Sequence, residues 1–340
     1  MTARAVSPTN REAVAVPGSA PPGAKPDDGR VGSVVERAIA KMSALGRSAR
    51  AHPAASHPEP AGLRNRPAPG RPEPARPPSR PARAPTTSRV EIDSRRLARA
   101  GMFTPGSTVN RTTEEFRLIK RAVLERADKA RDEGVANANL VMVTSTREGE
   151  GKTFVALNLA FSLAAEQDRS VVLVDADPAK SSIAQFLQLK VEHGLIDLLQ
   201  DDTVEPGDVV LPTSIAGLSI LPAGHRHALG AELFASDRMG ALLRALCVAT
   251  PHGIVILDAP PVLATSEPSA LARHVDQTVL VVEADKTSRA ALIEALNLIG
   301  ICPHIGLVLN KARFRFGAVR FGAYYKSYYK PGKRHLAARS

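Results

Sequence analysis

The residues with the clearest chemical potential run Thr144-Ser145-Thr146-Arg147-Glu148-Gly149-Glu150-Gly151-Lys152-Thr153, between an apolar run at 140–143 and a helical apolar pattern at 154–160. Strand, small-residue loop, Gly-Lys-Thr and helix is the order that a phosphate-binding loop requires. Gly149 and Gly151 allow the backbone to turn its N–H groups toward phosphate oxygens, and a helix start adds partial positive charge. Lys152 is placed to reach the terminal phosphates of a nucleotide, and the Thr153 hydroxyl to ligate Mg²⁺. The pattern departs from G-x-x-x-x-G-K-[ST] at its first position, which is Thr146.

Carboxylates recur at the ends of apolar runs. Val171-Val172-Leu173-Val174 leads into Asp175-Ala176-Asp177, and Ile254-Val255-Ile256-Leu257 leads into Asp258-Ala259-Pro260-Pro261. Alternation along an extended chain points Asp175 and Asp177 the same way. The carboxyl end of a parallel strand is where doubly wound sheets bind ligands. A turn or cap residue is the ordinary reading of a single such Asp; three of them in one chain with Gly-Lys-Thr favour a site. His225-Arg226-His227 suggests a metal pair, but no acid or Cys stands beside it in the sequence, and a solvated loop is the expectation there.

The elements that must position these groups follow from periodicity. Strands are expected at 140–143, 170–175, 254–258, 277–283 and 305–310, with helices at 154–160, 237–249 and 287–300 between them. Strand, loop, helix in repetition predicts an α/β doubly wound, mostly parallel sheet. Thr112-Thr113-Glu114-Glu115 has the chemistry of a helix start with a Thr cap, and a helix to about 133 follows. Glu114, Arg117 and Lys120 share one face of it, as on any solvated charged helix. Residues 31–45 carry apolar positions at 31, 34, 35, 38, 39, 42 and 45, an amphipathic helix suited to docking.

Composition divides the chain into an acidic body and two basic ends. Residues 1–100 hold 16 of the 27 prolines and carry 18 Lys/Arg against 8 Asp/Glu. Such a stretch buries too little apolar surface to offset its ordering entropy, and disorder is expected over 1–88. Residues 311–340 carry 9 Lys/Arg and no acid, while 101–310 carry 18 against 26. All four tyrosines, Tyr324, Tyr325, Tyr328 and Tyr329, cluster in the basic end, where a flexible tail is expected to leave their hydroxyls free. Aromatics are almost absent before residue 310, which argues against a nucleic-acid partner that relies on base stacking. Neither a membrane span nor a secretory signal is visible, and the isolated Cys247 and Cys302 fit a reduced, cytoplasmic setting.

Taken together, these motifs resemble the bacterial tyrosine kinases of exopolysaccharide synthesis, P-loop NTPases with deviant Walker motifs. The likeness covers about 88–330. Residues 146–153 match the family's Walker A, 171–177 its second motif (Walker A′) and 254–261 its Walker B, and the terminal tyrosine cluster completes the set. The segments at 33–38 and 99–105 are further similar to the exosortase-associated branch, which has no membrane helices of its own. The resemblance implies four units: 1–88 disordered, 89–112 a docking or linker segment, 113–316 the kinase domain and 317–340 the tyrosine tail. It implies ATP and Mg²⁺, with Glu148, Gly149, Glu150, Gly151, Lys152, Thr153 and Phe154 at the phosphates and Asn310 at adenine. Lys152, Asp175, Asp177 and Asp258 become the catalytic set, with Asp175 as base and Thr153, Asp177 and Asp258 at the metal. The family's E-x-x-R-x-x-R ring contact is Glu114, Arg117 and Lys120 here, with Lys in the last place. Partners implied are other copies of the chain, phosphorylated in trans, a membrane polysaccharide co-polymerase and a tyrosine phosphatase, at the cytoplasmic side of the inner membrane. A partitioning or positioning ATPase of the ParA/MinD type shares the same motifs, but Arg147 holds the position of its signature lysine. A non-catalytic ATP-binding scaffold is a third reading.

Overall fold

The computed structural model describes residues 89–103, 111–204, 206–225 and 230–312. The predicted helix at 31–45 and the tyrosine cluster lie outside these residues. Seven strands form one sheet: β1 (Leu140–Ser145), β2 (Val171–Asp175), β3 (Leu211–Pro212), β4 (Leu218–Leu221), β5 (Ile254–Asp258), β6 (Gln277–Glu283) and β7 (His304–Asn310). Their order is β3-β4-β2-β5-β1-β6-β7, parallel throughout except for the short antiparallel edge strand β3. β1, β2 and β5 are buried along their whole length, as continuous Val/Ile/Leu runs in a sheet covered on both faces require.

Ten helices lie in the described residues: α1 (Ser94–Arg99), α2 (Arg111–Asp132), α3 (Lys152–Ala164), α4 (Ser182–Leu187), α5 (Leu195–Gln200), α6 (Pro206–Val209), α7 (Gly230–Ala235), α8 (Asp237–Ala249), α9 (Glu267–Ala272) and α10 (Arg289–Leu298). Alternate strand residues feed two cores. Val141, Val143, Leu173, Ile254 and Ile256 pack with Phe116, Val155, Leu159 and Phe161 under α2 and α3. Leu140, Met142, Val174, Val255 and Leu257 pack with Phe234, Leu243, Leu246 and Ala295 under α7, α8 and α10. The doubly wound, mostly parallel sheet is thus as the repeated strand–helix pattern predicts.

Three details differ from the sequence reading. The second helix begins at Arg111, so Thr112 and Thr113 lie inside its first turn and do not cap it; Thr113 is buried against the core instead. The segment at 89–112 is part of this body over 90–103: Ile92, Leu97 and Met102 are buried, and the Phe103 N–H donates to Asn158 Oδ1 at 2.7 Å. Strand β4 and the five helices of six residues or fewer between α4 and α9 were not foreseen, because such short segments carry too few turns for a period to show. Among the described residues no helix is long and apolar enough to cross a membrane.

Candidate active site

Strands β1, β2 and β5 end side by side, with Asp175 in register with Asp258 and Val143 in register with Asp258 across the next gap. The loop from Thr146 to Gly151 leaves β1 and enters α3, whose first-turn N–H groups have no acceptor within the helix. Gly149 and Gly151 both have left-handed φ, at 80° and 99°. At Gly151 a Cβ would also stand 2.2 Å from Asn310 Nδ2, so only glycine fits.

Side chains of the loop brace it rather than line it. The Glu150 carboxylate accepts the Arg147 N–H at 2.9 Å and the Thr287 hydroxyl, tying the loop to the start of α10. Asn310 Nδ2 donates to Glu150 O at 2.8 Å, and Lys311 Nζ donates to Gly149 O at 2.6 Å. Glu148 pairs with Lys180 at 3.0 Å on the surface. Phe154 packs edge-on against Phe116 of α2, with ring centres 6.2 Å apart, and belongs to the core. Of the residues expected at the nucleotide, Glu150, Phe154 and Asn310 therefore have side chains occupied within the protein. Spacing alone could not separate a brace from a ligand.

Lys152 reaches back across the strand ends to the three aspartates. Its Nζ lies 2.8 Å from Asp177 Oδ2 and 3.7 Å from Asp258 Oδ1. Its ammonium also donates to Thr153 Oγ1 at 3.3 Å. Burial works against the ammonium, yet Asp258, Asp177 and Asp175 outweigh it and hold the lysine pKa above its usual value. Burial pushes Asp258 up to about 6, against the pull of Lys152. Burial and the nearby charge of Asp258 push Asp175 up to about 7, although two backbone N–H groups favour its ionised form.

Those two N–H groups define what Asp175 does in this arrangement. Asp177 N–H donates to Asp175 Oδ1 at 3.1 Å and Ile183 N–H to Oδ2 at 3.2 Å. Asp175 has no exposed surface, so the residue expected as base here shapes the loop from β2 to α4, and a phenol reaches it only if that loop moves. Asp258 is different, since neither of its buried oxygens has a hydrogen-bond partner. Three carboxylates face one ammonium, which leaves the fully ionised cluster two positive charges short. A divalent cation supplies that charge, and the orphaned oxygens of Asp258 beside Thr153 and Asp177 are hard donors suited to Mg²⁺.

The expected ring-contact residues are engaged within the chain. Arg117 pairs with Glu114 one turn away, and Lys120 pairs with Glu166 just past the end of α3 and donates to Ser162 O of that helix at 3.4 Å. Lys120 thus joins α2 to the carboxyl end of α3, a tertiary contact that the spacing of Glu114, Arg117 and Lys120 did not reveal.

A glycine-rich loop between strand and helix, a lysine folded onto carboxylates from neighbouring strand ends and a doubly wound sheet define a P-loop nucleotide-binding protein. The sequence profile of the CobQ/CobB/MinD/ParA nucleotide binding domain matches residues 141–318. Tyrosine-protein kinase YwqD of Bacillus subtilis is 32% identical over 173 residues, which cover 50% of this chain and 71% of that protein. Tyrosine-protein kinase wzc of Salmonella typhi is 32% identical over 146 residues, 43% of this chain but 20% of its own length. The chain thus spans about a fifth of the Salmonella relative. The chimerical protein CapA2B2 shares the fold, with a TM-score of 0.53 and 23% identity over 64% of this chain and 98% of that one. The chain belongs to the bacterial tyrosine-protein kinases of the CobQ/CobB/MinD/ParA nucleotide-binding family.

Proposed function

We propose that the chain is an ATP-dependent protein-tyrosine kinase that phosphorylates Tyr324, Tyr325, Tyr328 and Tyr329 of another copy of itself. The observation that carries this reading is Lys152 lying between Asp177 and Asp258 at the mouth of the phosphate loop. With ATP as substrate, Lys152 leaves those carboxylates for the β- and γ-phosphates, and the loop amides of Glu148 to Thr153 hold the same oxygens. Thr153, Asp177 and Asp258 would hold Mg²⁺, which would supply positive charge to offset that of the transferring group.

The tyrosine oxygen forms the new bond to the γ-phosphorus, the bond to the β,γ-bridging oxygen breaks, and ADP leaves. The phenol proton must go elsewhere, since a tyrosine with pKa of about 10 is a weak nucleophile at neutral pH. Asp175, at about 7, accepts it once the loop at 177–183 yields. Asn310 contacts adenine when it releases Glu150 O. Glu114, Arg117 and Lys120 contribute to a ring of subunits by exchanging their internal partners for those of a neighbour.

The same reading extends to regulation of exopolysaccharide polymerisation or export, through a membrane co-polymerase at the cytoplasmic face and a phosphatase that resets the tail. The names of the kinase relatives support the tyrosine-kinase part of this reading, and the family resemblance of the motifs implies the rest. Incubation of the full chain with ATP and Mg²⁺, followed by anti-phosphotyrosine detection, tests it. Signal that is lost in Lys152→Met is expected. ATP hydrolysis without phosphotyrosine would instead identify a positioning ATPase, and neither would identify a scaffold.

A further inference from the structure

The sequence offered no acid beside His225, but the fold supplies one. Asp197 in the first turn of α5 and His193 just before it lie against His225, which follows β4. His225 Nδ1–H donates to Asp197 Oδ1 at 2.7 Å, and His193 Nδ1 stands 3.7 Å from the same oxygen. One ligand atom from each of the three residues falls within 4.8 Å of the other two.

The cluster is built, and two glycines allow it. A Cβ on Gly194 would lie 2.3 Å from Pro222 O, and one on Gly224 would lie 2.1 Å from Asp197 Oδ2. This close approach lets Gly194 N–H and His225 N–H donate to Oδ2, at 2.8 and 3.3 Å. With Oδ2 held by the backbone, Oδ1 is turned toward the two imidazoles. Burial raises the Asp197 pKa, but the His225 ring and the two N–H groups outweigh it and keep the carboxyl below its ordinary range. Both imidazoles are more than half exposed, which leaves a path for an ion to enter.

Two imidazole nitrogens and one carboxylate oxygen are a donor set for a borderline first-row cation. Bonds of about 2.0–2.1 Å in a tetrahedron put neighbouring ligand atoms about 3.3 Å apart, a value between the 2.7 and 3.7 Å at which the two rings stand from Asp197 Oδ1. The backbone N–H groups on Oδ2 are the outer partners that orient such a ligand. We propose that His193, Asp197 and His225 form a binding site for a divalent transition-metal ion of the Zn²⁺ type, separate from the phosphate loop. Binding displaces the proton on His225 Nδ1 and leaves at least one position to water. The ion pins the start of α5 to the exit of β4, the strand beside β2, on the sheet edge that carries Asp175 and Asp177.

The test is Zn²⁺ titration of the full, chelator-stripped chain against a chromogenic competitor, with excess Mg²⁺ and ADP to occupy the phosphate loop. The wild-type chain is expected to bind one more equivalent of Zn²⁺ than His193→Ala or His225→Ala, or to bind it at least tenfold more tightly. Thermal stabilisation by Zn²⁺ should fall in both variants and persist in His252→Ala and His304→Ala. The two histidines are exposed, so their loss leaves the fold intact, whereas Asp197→Asn also alters the turn at Gly194. Unchanged Zn²⁺ binding in either histidine variant overturns the three-ligand site and leaves a hydrogen-bonded His–Asp pair.

Discussion

Two ion clusters of this domain, one joining α2 to the start of β6 and one at the carboxyl ends of β2 and β5, differ in how their charges are matched. Arg126 of α2 donates from Nε and Nη2 to the two oxygens of Asp276, at 2.8 and 2.9 Å, and Glu133 lies 3.5 Å from Arg126 and 3.8 Å from Lys129, so two cations face two anions and both Asp276 oxygens are satisfied. Lys152 faces three carboxylates, and Asp258 keeps two oxygens without a hydrogen bond. The first arrangement closes on itself and pins α2 beside β6. The second is incomplete, and burial of an unmatched charge is costly unless something else arrives to complete it. Matched charge marks scaffold; mismatched charge marks where a ligand is expected.

The largest effect expected from this contrast is at the mismatched cluster. Lys152→Met should lower tail phosphorylation by at least a hundredfold while the far-UV circular dichroism stays that of the parent chain. Comparable phosphotyrosine in the two would break the distinction. Asp258→Asn should likewise abolish phosphorylation, yet stabilise the nucleotide-free fold at high pH. The sign follows from the raised folded pKa of about 6. The protonated form is favoured by the fold, so this contribution is present below about pH 4 and is lost as pH rises through 6. Removing the charge at pH 8 should recover on the order of 1–3 kcal/mol, read from denaturant midpoints at pH 5 and pH 8.

Arg126→Leu should do the opposite: leave catalysis per folded molecule intact and lower the melting temperature by several degrees, because Asp276 is then buried without its partner. Asn310→Ala removes a brace of the phosphate loop, and a several-fold rise in KM for ATP with a smaller change in kcat is expected from steady-state kinetics. The smallest effect concerns assembly. Each phosphotyrosine adds about −1.5 to −2 charge, so four should nearly cancel the excess of nine basic residues over 311–340 and loosen the attraction of this end to an acidic body. Sedimentation at low salt should show a smaller species after phosphorylation than for the chain with all four tyrosines changed to phenylalanine; equal sizes would rule this switch out.

Legibility followed the range of the interactions. The strands at 254–258 and 277–283 and the helix at 237–249 could be read because their apolar periods are local. Gly149, Gly151 and Lys152 could be read because a phosphate loop needs its glycines and lysine contiguous. The jobs of Glu150, Asn310 and Lys120 could not, since their partners Thr287, the loop carbonyl and Glu166 lie 137, 160 and 46 residues away.

By itself the sequence determined the alternation of strand and helix, the phosphate loop and three carboxylates at strand ends, all of them set by neighbours along the chain. Only the tertiary structure decided which carboxylate is tied to backbone and which is left bare, and that His193 and Asp197 meet His225. Parallel crossover connections bring distant segments to one sheet edge, and burial there, not residue type, sets each group's charge and partners.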